Sequence, residues 1–417
     1  MESNENKIKI IVPHFPKLII NKLKEYGFDA YIVGGCVRDE LLHKKPDDYD
    51  ITTNAKPEDI KRIFKKTIDT GIKHGTITVL FYDGNIKKTF EVTTFRIDGE
   101  YDDSRHPKIV KFVNELKEDL LRRDFTINAM AYSDDTGLVD EFNGVKDLKN
   151  KVVRAVGNPY ERFTEDALRL LRAVRFSAKL GFEIENDTEK AIIKLAKGLS
   201  NVSKERVEVE LTKIITSLNP IYVNKIFEFG LAEFVCEGFG EIKIGKFEPN
   251  LPKHIAYACL LYNTGIDKAF YILKSLKMDN NNIYKIKSLL NAKVIYNRIC
   301  GRKDEIDIKM DIKELINLLS YELVFDFIRL IYINENDKIL VKRIESYIKE
   351  LENNNCPIFI KDLAINGNDI MKVGFSGIEV GTVLLNIQKI VHKNRTYNNK
   401  KILIDIMEEV FLKYKGG

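Results

Sequence analysis

Val33-Gly34-Gly35-Cys36-Val37-Arg38-Asp39, with Asp48-Tyr49-Asp50 beginning nine residues further on, is the stretch that decides how this 417-residue chain is read. The segment before it, Ala30 to Val33, is apolar and β-prone, so the glycines fall where a strand ends and the backbone turns tightly enough to approach a phosphate. From Asp48 to Thr53, alternation with period two puts Asp48 and Asp50 on one face and Tyr49 on the other. Two hard oxygen ligands on one face suit Mg²⁺, which keeps several waters and is completed by substrate phosphates. A glycine turn, a cation and two alternating carboxylates are therefore equipment for a nucleoside triphosphate with Mg²⁺. An isolated Asp-x-Asp would read as a solvated acidic turn; behind Gly-Gly-x-Val-Arg-Asp it is far more specific.

The length predicts two to four domains. With 44% hydrophobic and 31% charged residues and a net charge of only +5, the composition is that of a soluble globular protein, permitting nucleic-acid binding without demanding it. The start, MESNENKIKI, has no apolar signal core and no stretch has the apolar length of a membrane span, so a cytoplasmic protein without membrane contact is expected. The five cysteines are scattered and never in Cys-x-x-Cys spacing, which argues against a disulfide framework or a zinc site.

Residues 1 to about 150 mix helical pattern with short β-rich runs (Ala30 to Val33, Thr76 to Tyr82, Lys88 to Thr94, Ile109 to Val113). Beyond Val156-Gly157-Asn158-Pro159 amphipathic stretches dominate, starting with a helix near Thr164. The expected class is α+β, with a mixed-sheet head followed by mostly helical parts. Turn-rich breaks divide the chain into 1–150, 151–220, 221–355 and 356–417.

Further candidates follow downstream. Glu91, on the strand Lys88 to Arg96, is a third carboxylate, or else a charge on a solvated strand face. Ile97 to Pro107 is a polar loop longer than a hairpin needs, which reads equally as a functional lid or a surface insertion. Arg122 and Arg123 precede an apolar run read as a helix, and could bind triphosphate oxygens or form a surface ion-pair cluster. In the helix near Thr164, Asp166, Arg169, Arg172 and Arg175 recur every third residue. Asp166 with Arg169 would offer an acceptor beside a donor fork, matching cytosine and adenine, whereas uracil and guanine would leave a buried polar group unpaired at about 1–3 kcal/mol. On its own, such a row reads as an exposed ion-pair network.

Taken in order, these motifs resemble the bacterial CCA-adding enzymes of Gram-positive type, tRNA nucleotidyltransferases of the polymerase-β-like superfamily. GGCVRD, DYDITTNA, Glu91, RRDFTINAM, Asp140 to Leu148, EDALRLLRAVRF and Ser203-Lys204-Glu205-Arg206 with Glu210-Leu211 follow the family order, and Asp362 to Gly367 with Gly374, Gly377 and Gly381 is similar to its tail. The resemblance implies a polymerase-β-like nucleotidyltransferase head, a helical neck that recognises the base, and a helical body and tail that grip tRNA. By it, Asp48 and Asp50 hold Mg²⁺, with Glu91 as the strand carboxylate. Gly35, Arg38, Arg123, Asp166, Arg169, Arg172 and Arg175 line the nucleotide site. The implied reaction adds C, C and A to the tRNA 3′ end from CTP and ATP with release of pyrophosphate, calling for no haem or flavin and leaving the oligomeric state open. Thr52 stands where alanine is usual and Ile378 where proline is frequent.

Alternatives remain at this stage. A poly(A) polymerase shares the head, but usually carries a Gly-Arg-Arg-Phe-like signature where this chain has FRIDGEYDDSRHP. An enzyme adding only A stays open, as does a catalytically silent RNA-binding protein, against which the intact Asp48, Asp50 and Arg38 count. No histidine is followed by Asp, as a fused metal phosphohydrolase would require.

Overall fold

A computed structural model of the chain describes residues 9–99 and 110–415. It divides into two compact units, one running to Glu241 and including Ser275–Lys277, the other comprising Ile242–Lys274 and everything from Met278 onward.

The first unit opens with α1 (His14–Glu25), β1 (Ala30–Val33), α2 (Gly35–Leu41), β2 (Ile51–Thr53), α3 (Pro57–Ile63), β3 (Thr67–Gly71), β4 (Thr76–Asp83) and β5 (Ile86–Thr94). The pair β6 (Arg96–Asp98) and β7 (Val110–Phe112) joins the two ends of the expected long loop, whose residues 100–109 lie outside the described residues. Then come α4 (Leu116–Leu121), β8 (Ala131–Ser133), β9 (Gly137–Val139) and α5 (Gly144–Asn150). Seven strands form one mixed sheet in the order β3-β4-β5-β2-β1-β8-β9, in which β2 and β5 run parallel and the other neighbours antiparallel.

All four residues of β1 are buried, as a strand flanked on both sides requires. Cross-strand neighbours Ile32, Ile51, Val92 and Ile77 fill one face. On the other, Tyr31 and Val33 pack with Phe95, Leu120, Ala129, Ala131 and Val156. This second face, which also carries Thr52 opposite Tyr31, leads to the site.

Three expectations are corrected. The helix expected after Arg122-Arg123 does not form: Thr126–Asn128 is a single 3-10 turn and Ala131–Ser133 is a strand. Pairing of Tyr132 with Ile32 and of Ala131 with Val33 overrides the helical reading, in a run too short and too thoroughly buried to carry a helical period. Strand β2 starts only at Ile51, so Asp48 and Asp50 precede it. The helix expected to begin near Thr164 is interrupted: α6 (Pro159–Glu165) ends there, and α7 (Leu168–Leu180) begins after Asp166 adopts extended backbone (φ −142°, ψ 102°).

Asn158 caps α6 by accepting from the Tyr160 amide, with Pro159 in the first turn where its missing N–H is harmless. A parallel two-stranded ribbon, β10 (Val152–Val153) and β11 (Glu183–Ile184), brackets this region. Helices α8 (Asn186–Leu195) and α9 (Lys204–Ile215) follow, and α9 packs against α7.

The second unit is helical, with long helices at Asn280–Gly301, Glu305–Glu335, which is kinked at Ser320 (φ +65°), and Lys338–Asn353. Its final part has a core of Leu363, Ile365, Ile370, Phe375, Ile387, Val391, Leu403 and Met407. No single helix among the described residues is long and apolar enough to cross a membrane.

Candidate active site

The site forms where β1 ends. Gly34 has φ +81° and ψ −125°, open to glycine but hardly to other residues. Its amide donates to the Met130 carbonyl at 3.0 Å. A Cβ there would also come within 3.0 Å of Arg123 Nη1, whereas one on Gly35 would meet Arg38 Nη2 at an ordinary 3.6 Å. The steric demand in the glycine pair therefore falls on Gly34 and not on Gly35.

The backbone of Val33 donates to Asp50 O at 3.0 Å, tying the acidic segment to the turn. Because Ile51 is level with Val92 in parallel β2 and β5, Asp50 comes level with Glu91. Tyr49 points the other way, donating from its hydroxyl to Glu40 Oε1 at 2.5 Å. Although Asp50 is exposed to solvent on one side, the surrounding protein pushes its carboxyl up to about 6, helped by Asp48 and Glu91 and opposed by Arg123. Three like charges thus meet with one cation nearby. Among the described residues no three His, Cys, Asp or Glu side chains converge closely enough to hold a metal ion by themselves, so an ion here needs water and phosphate oxygens for completion.

Arg123 is held by a residue that sequence reading passed over. The fully buried Asp119 accepts from Arg123 Nη2 at 3.0 Å on one oxygen and from Arg122 Nε and Nη2 at 3.0 and 2.7 Å on the other. Burial alone would raise its pKa, but the two guanidiniums more than offset this and hold it below the usual range. The i,i+3 and i,i+4 spacing of Asp119 to the arginines was the available signal. Asp119→Ala removes the buried carboxylate shared by Arg122 and Arg123, and is expected to destabilise the protein by about 3–5 kcal/mol in denaturant unfolding; a change under about 1 kcal/mol would contradict this role.

Arg38 is 3% exposed, with Nε on Asp39 Oδ1 at 2.8 Å and Nη1 on Asn128 Oδ1 at 2.5 Å. Asn128 in turn donates to Asp124 Oδ1 at 3.0 Å, and Asp124 Oδ2 accepts from Arg172 Nε at 2.8 Å. Burial would raise Asp124, yet Arg172 and Asn128 hold it far below the usual carboxylate range. A continuous polar chain thus links α2 to α7.

Along α7 each member of the three-residue row has its own partner. The Asp166 carboxylate does not bond the Arg169 guanidinium, although the Arg169 amide donates to the Asp166 carbonyl at 3.0 Å. Its Oδ1 accepts from the Leu168 amide at 3.0 Å, capping α7, and its Oδ2 from Arg206 Nη2 of α9 at 2.8 Å. Arg169 reaches Glu165 Oε2 (2.6 Å), Arg162 O (2.8 Å) and Arg122 O (2.9 Å). Arg175 Nε lies 3.1 Å from Glu210 Oε2, one turn beyond Arg206 on α9. The sequence motif contained Arg206 and Glu210, but only the packing of α9 on α7 gives them partners. The structure brings Asp48, Asp50, Glu91 and Arg123 into one electrostatic neighbourhood and ties Arg38 to Arg172, while Asp166 and Arg169 are near each other with separate partners.

This head, with paired carboxylates beside a glycine turn and arginines behind it, defines a nucleotidyltransferase. Residues 30–154 match the poly A polymerase head domain, and residues 252–407 match tRNA nucleotidyltransferase domain 2. The chain is 37% identical to the CCA-adding enzyme of Ligilactobacillus salivarius, over 93% of this chain and 94% of that one. It is 35% identical to that of Staphylococcus haemolyticus, over 94% and 97%. The crystal structure of the Bacillus stearothermophilus CCA-adding enzyme in complex with CTP superposes with a TM-score of 0.79 at 29% identity, covering 98% of this chain and all of that one. The chain belongs to the CCA-adding enzymes, the tRNA nucleotidyltransferases.

Proposed function

We propose that the chain completes tRNA 3′ ends with C, C and A from CTP and ATP, releasing pyrophosphate, in one pocket shared by its first α/β sheet and α7. The observation that carries this reading is the meeting of Asp48, Asp50 and Glu91 with Arg123 at the glycine turn, in a chain similar over nearly its full length to CCA-adding enzymes. The family generally uses a divalent metal; here the proposed ion is Mg²⁺. The donor set fits it, because an all-oxygen group of mutually repelling carboxylates is relieved by a hard cation. Asp48 and Asp50 are the residues that would hold it, with Glu91 beside them. When bound, it supplies acidification of the attacking 3′ hydroxyl and charge neutralisation at the phosphates.

Arg123, whose buried Nε has no acceptor among the described residues, is assigned to a triphosphate oxygen, and Arg38 is placed to join it. The Asp119 carboxylate fixes the Arg123 fork in advance, so its order is not lost when substrate arrives. Asp166 and Arg169 are assigned to the base edge. Their partners Arg206, Glu165 and two backbone carbonyls hold them apart in the free protein, and reading a base requires Asp166 to share its carboxylate between Arg206 and the exocyclic amine. Arg172 and Arg175 complete the wall of the pocket. We place the protein in the cytoplasm, with tRNA as its macromolecular partner.

Asp50 binds its proton more tightly when folded than its ordinary value allows. Protonation therefore favours the folded chain, an advantage that fades as pH rises through about 6. A divalent cation reverses that preference, since it binds only the carboxylate. Apparent Mn²⁺ affinity, followed by electron paramagnetic resonance, is expected to be constant above about pH 7 and to fall about tenfold per unit below the pKa of about 6. A flat profile from pH 5 to 8 would remove Asp50 from the ligand set. For the reaction itself, a tRNA lacking its last three nucleotides is incubated with CTP, ATP or both, and its ends are sequenced. Addition of CC and then one A, with no further growth, is expected; a long A tract, or A added only to CC-ended tRNA, contradicts the proposal.

A further inference from the structure

Phe176 of α7 is 5% exposed, and three guanidiniums stand around its ring: Arg175 at 4.2 Å from the centroid, Arg38 at 5.3 Å and Arg172 at 5.5 Å. Phe125 meets the ring edge-on at 5.5 Å, fixing its plane. The three cations come from two elements, Arg38 from α2 and the other two from α7. Arg38 pairs with Asp39, whereas Arg172 and Arg175 pair with Asp124 and Glu210. The ring is thus the direct contact common to all three, alongside the longer hydrogen-bonded route through Asn128 and Asp124.

Gathering one buried and two partly buried cations is unfavourable, and burial with the neighbouring Arg172 and Arg38 already pushes the Arg175 guanidinium down to about 10. Asp39, Asp124 and Glu210 relieve part of that repulsion, and an aliphatic side chain in place of the ring would add nothing to their effect. The π face of an aromatic ring attracts each cation without neutralising it, so the positive charge stays available to an incoming anion.

We propose that Phe176 is a positioning residue for the nucleotide: its ring face holds Arg38 at a set spacing from Arg172 and Arg175, so that they meet the nucleotide together. The proposal rests on the placement of these arginines in the nucleotide site argued above. Since the ring acts through groups that grip the nucleotide before and during reaction alike, its loss weakens binding more than it slows chemistry.

Equilibrium affinity for CTP and ATP, kcat and melting temperature are measured for wild type, F176L, F176Y, R38A and the F176L/R38A double variant. F176L, which keeps apolar bulk without a π face, is expected to weaken both nucleotides about tenfold with kcat within about threefold of wild type. F176Y, which keeps the face, returns affinity to within about threefold of wild type. The double variant loses less than the product of the single effects, because the ring works partly through Arg38. Wild-type affinity in F176L, equal weakening in F176Y, additive loss in the double variant, or lower kcat and melting temperature at unchanged affinity would each overturn the proposal. Should F176L fail to fold, F176M is read by the same criteria. Unchanged nucleotide affinity in R38A would instead reject the placement of Arg38 in the site, which separates failure of that reading from failure of the role of Phe176.

Discussion

Asp50→Ala is expected to abolish incorporation of both C and A, lowering turnover by about three to four orders of magnitude, or about 4–5.5 kcal/mol of barrier. Under the proposed assignment Asp50 serves the reacting phosphate and not the base, so the loss is shared by both nucleotides. It lies beside the glycine turn, level with Glu91, and its raised pKa reports a carboxylate desolvated by the surrounding protein and held beside the like charges of Asp48 and Glu91. Removing it relieves that repulsion, so the variant is expected to be at least as stable as wild type, and tRNA binding should stay within about threefold because phosphate contacts elsewhere carry it. Single-turnover extension and filter binding check the two halves together. Turnover within tenfold of wild type would remove Asp50 from the chemistry, while a variant that neither extends nor binds tRNA would assign it a structural part instead.

The second large effect is on selectivity. Asp166→Ala is expected to bring UTP and GTP closer to CTP and ATP by about 5- to 150-fold, the range that corresponds to about 1–3 kcal/mol for a buried polar group left unpaired. Asp166 accepts from both the Leu168 amide and Arg206, so its carboxylate is oriented from two sides, as discrimination by hydrogen-bond direction requires. The same substitution removes the Asp166 carboxylate from Arg206, and slower use of the correct nucleotides is expected alongside the relaxed choice. Ratios of kcat/KM for the four triphosphates measure this. If every nucleotide slows by the same factor, Asp166 caps α7 and does not read the base.

Much of the head was legible because its signals are local. Ala30 to Val33 forms the strand read from its apolar run, and β4, β5 and β7 lie where the β-rich runs placed them. The segment Phe125 to Tyr132 misled because it is buried throughout, its polar Thr126 and Asn128 included, so it presents no solvent-facing stripe to distinguish helix from strand. Asp166 misled for another reason. The three-residue spacing from Asp166 to Arg175 suggested one unbroken row, but the chain leaves the helix at Asp166 and uses its side chain as a cap. Residues such as Asp119, Arg206, Glu210 and Phe176 gain their meaning from packing. Only when α9 lies against α7 does Glu210 meet Arg175, and only when α2 approaches α7 does Phe176 face Arg38. No spacing along the chain encodes those encounters, although the arginines they serve stand out in it.

One pocket is proposed to serve both nucleotides, with the same carboxylates and arginines in each step. Calorimetric titration of the tRNA-free protein with CTP, repeated in the presence of saturating ATP, tests it most directly. One site per chain and an apparent CTP affinity that falls in proportion to the ATP concentration are the predicted results; two sites per chain, or CTP binding that ATP leaves unchanged, would contradict it.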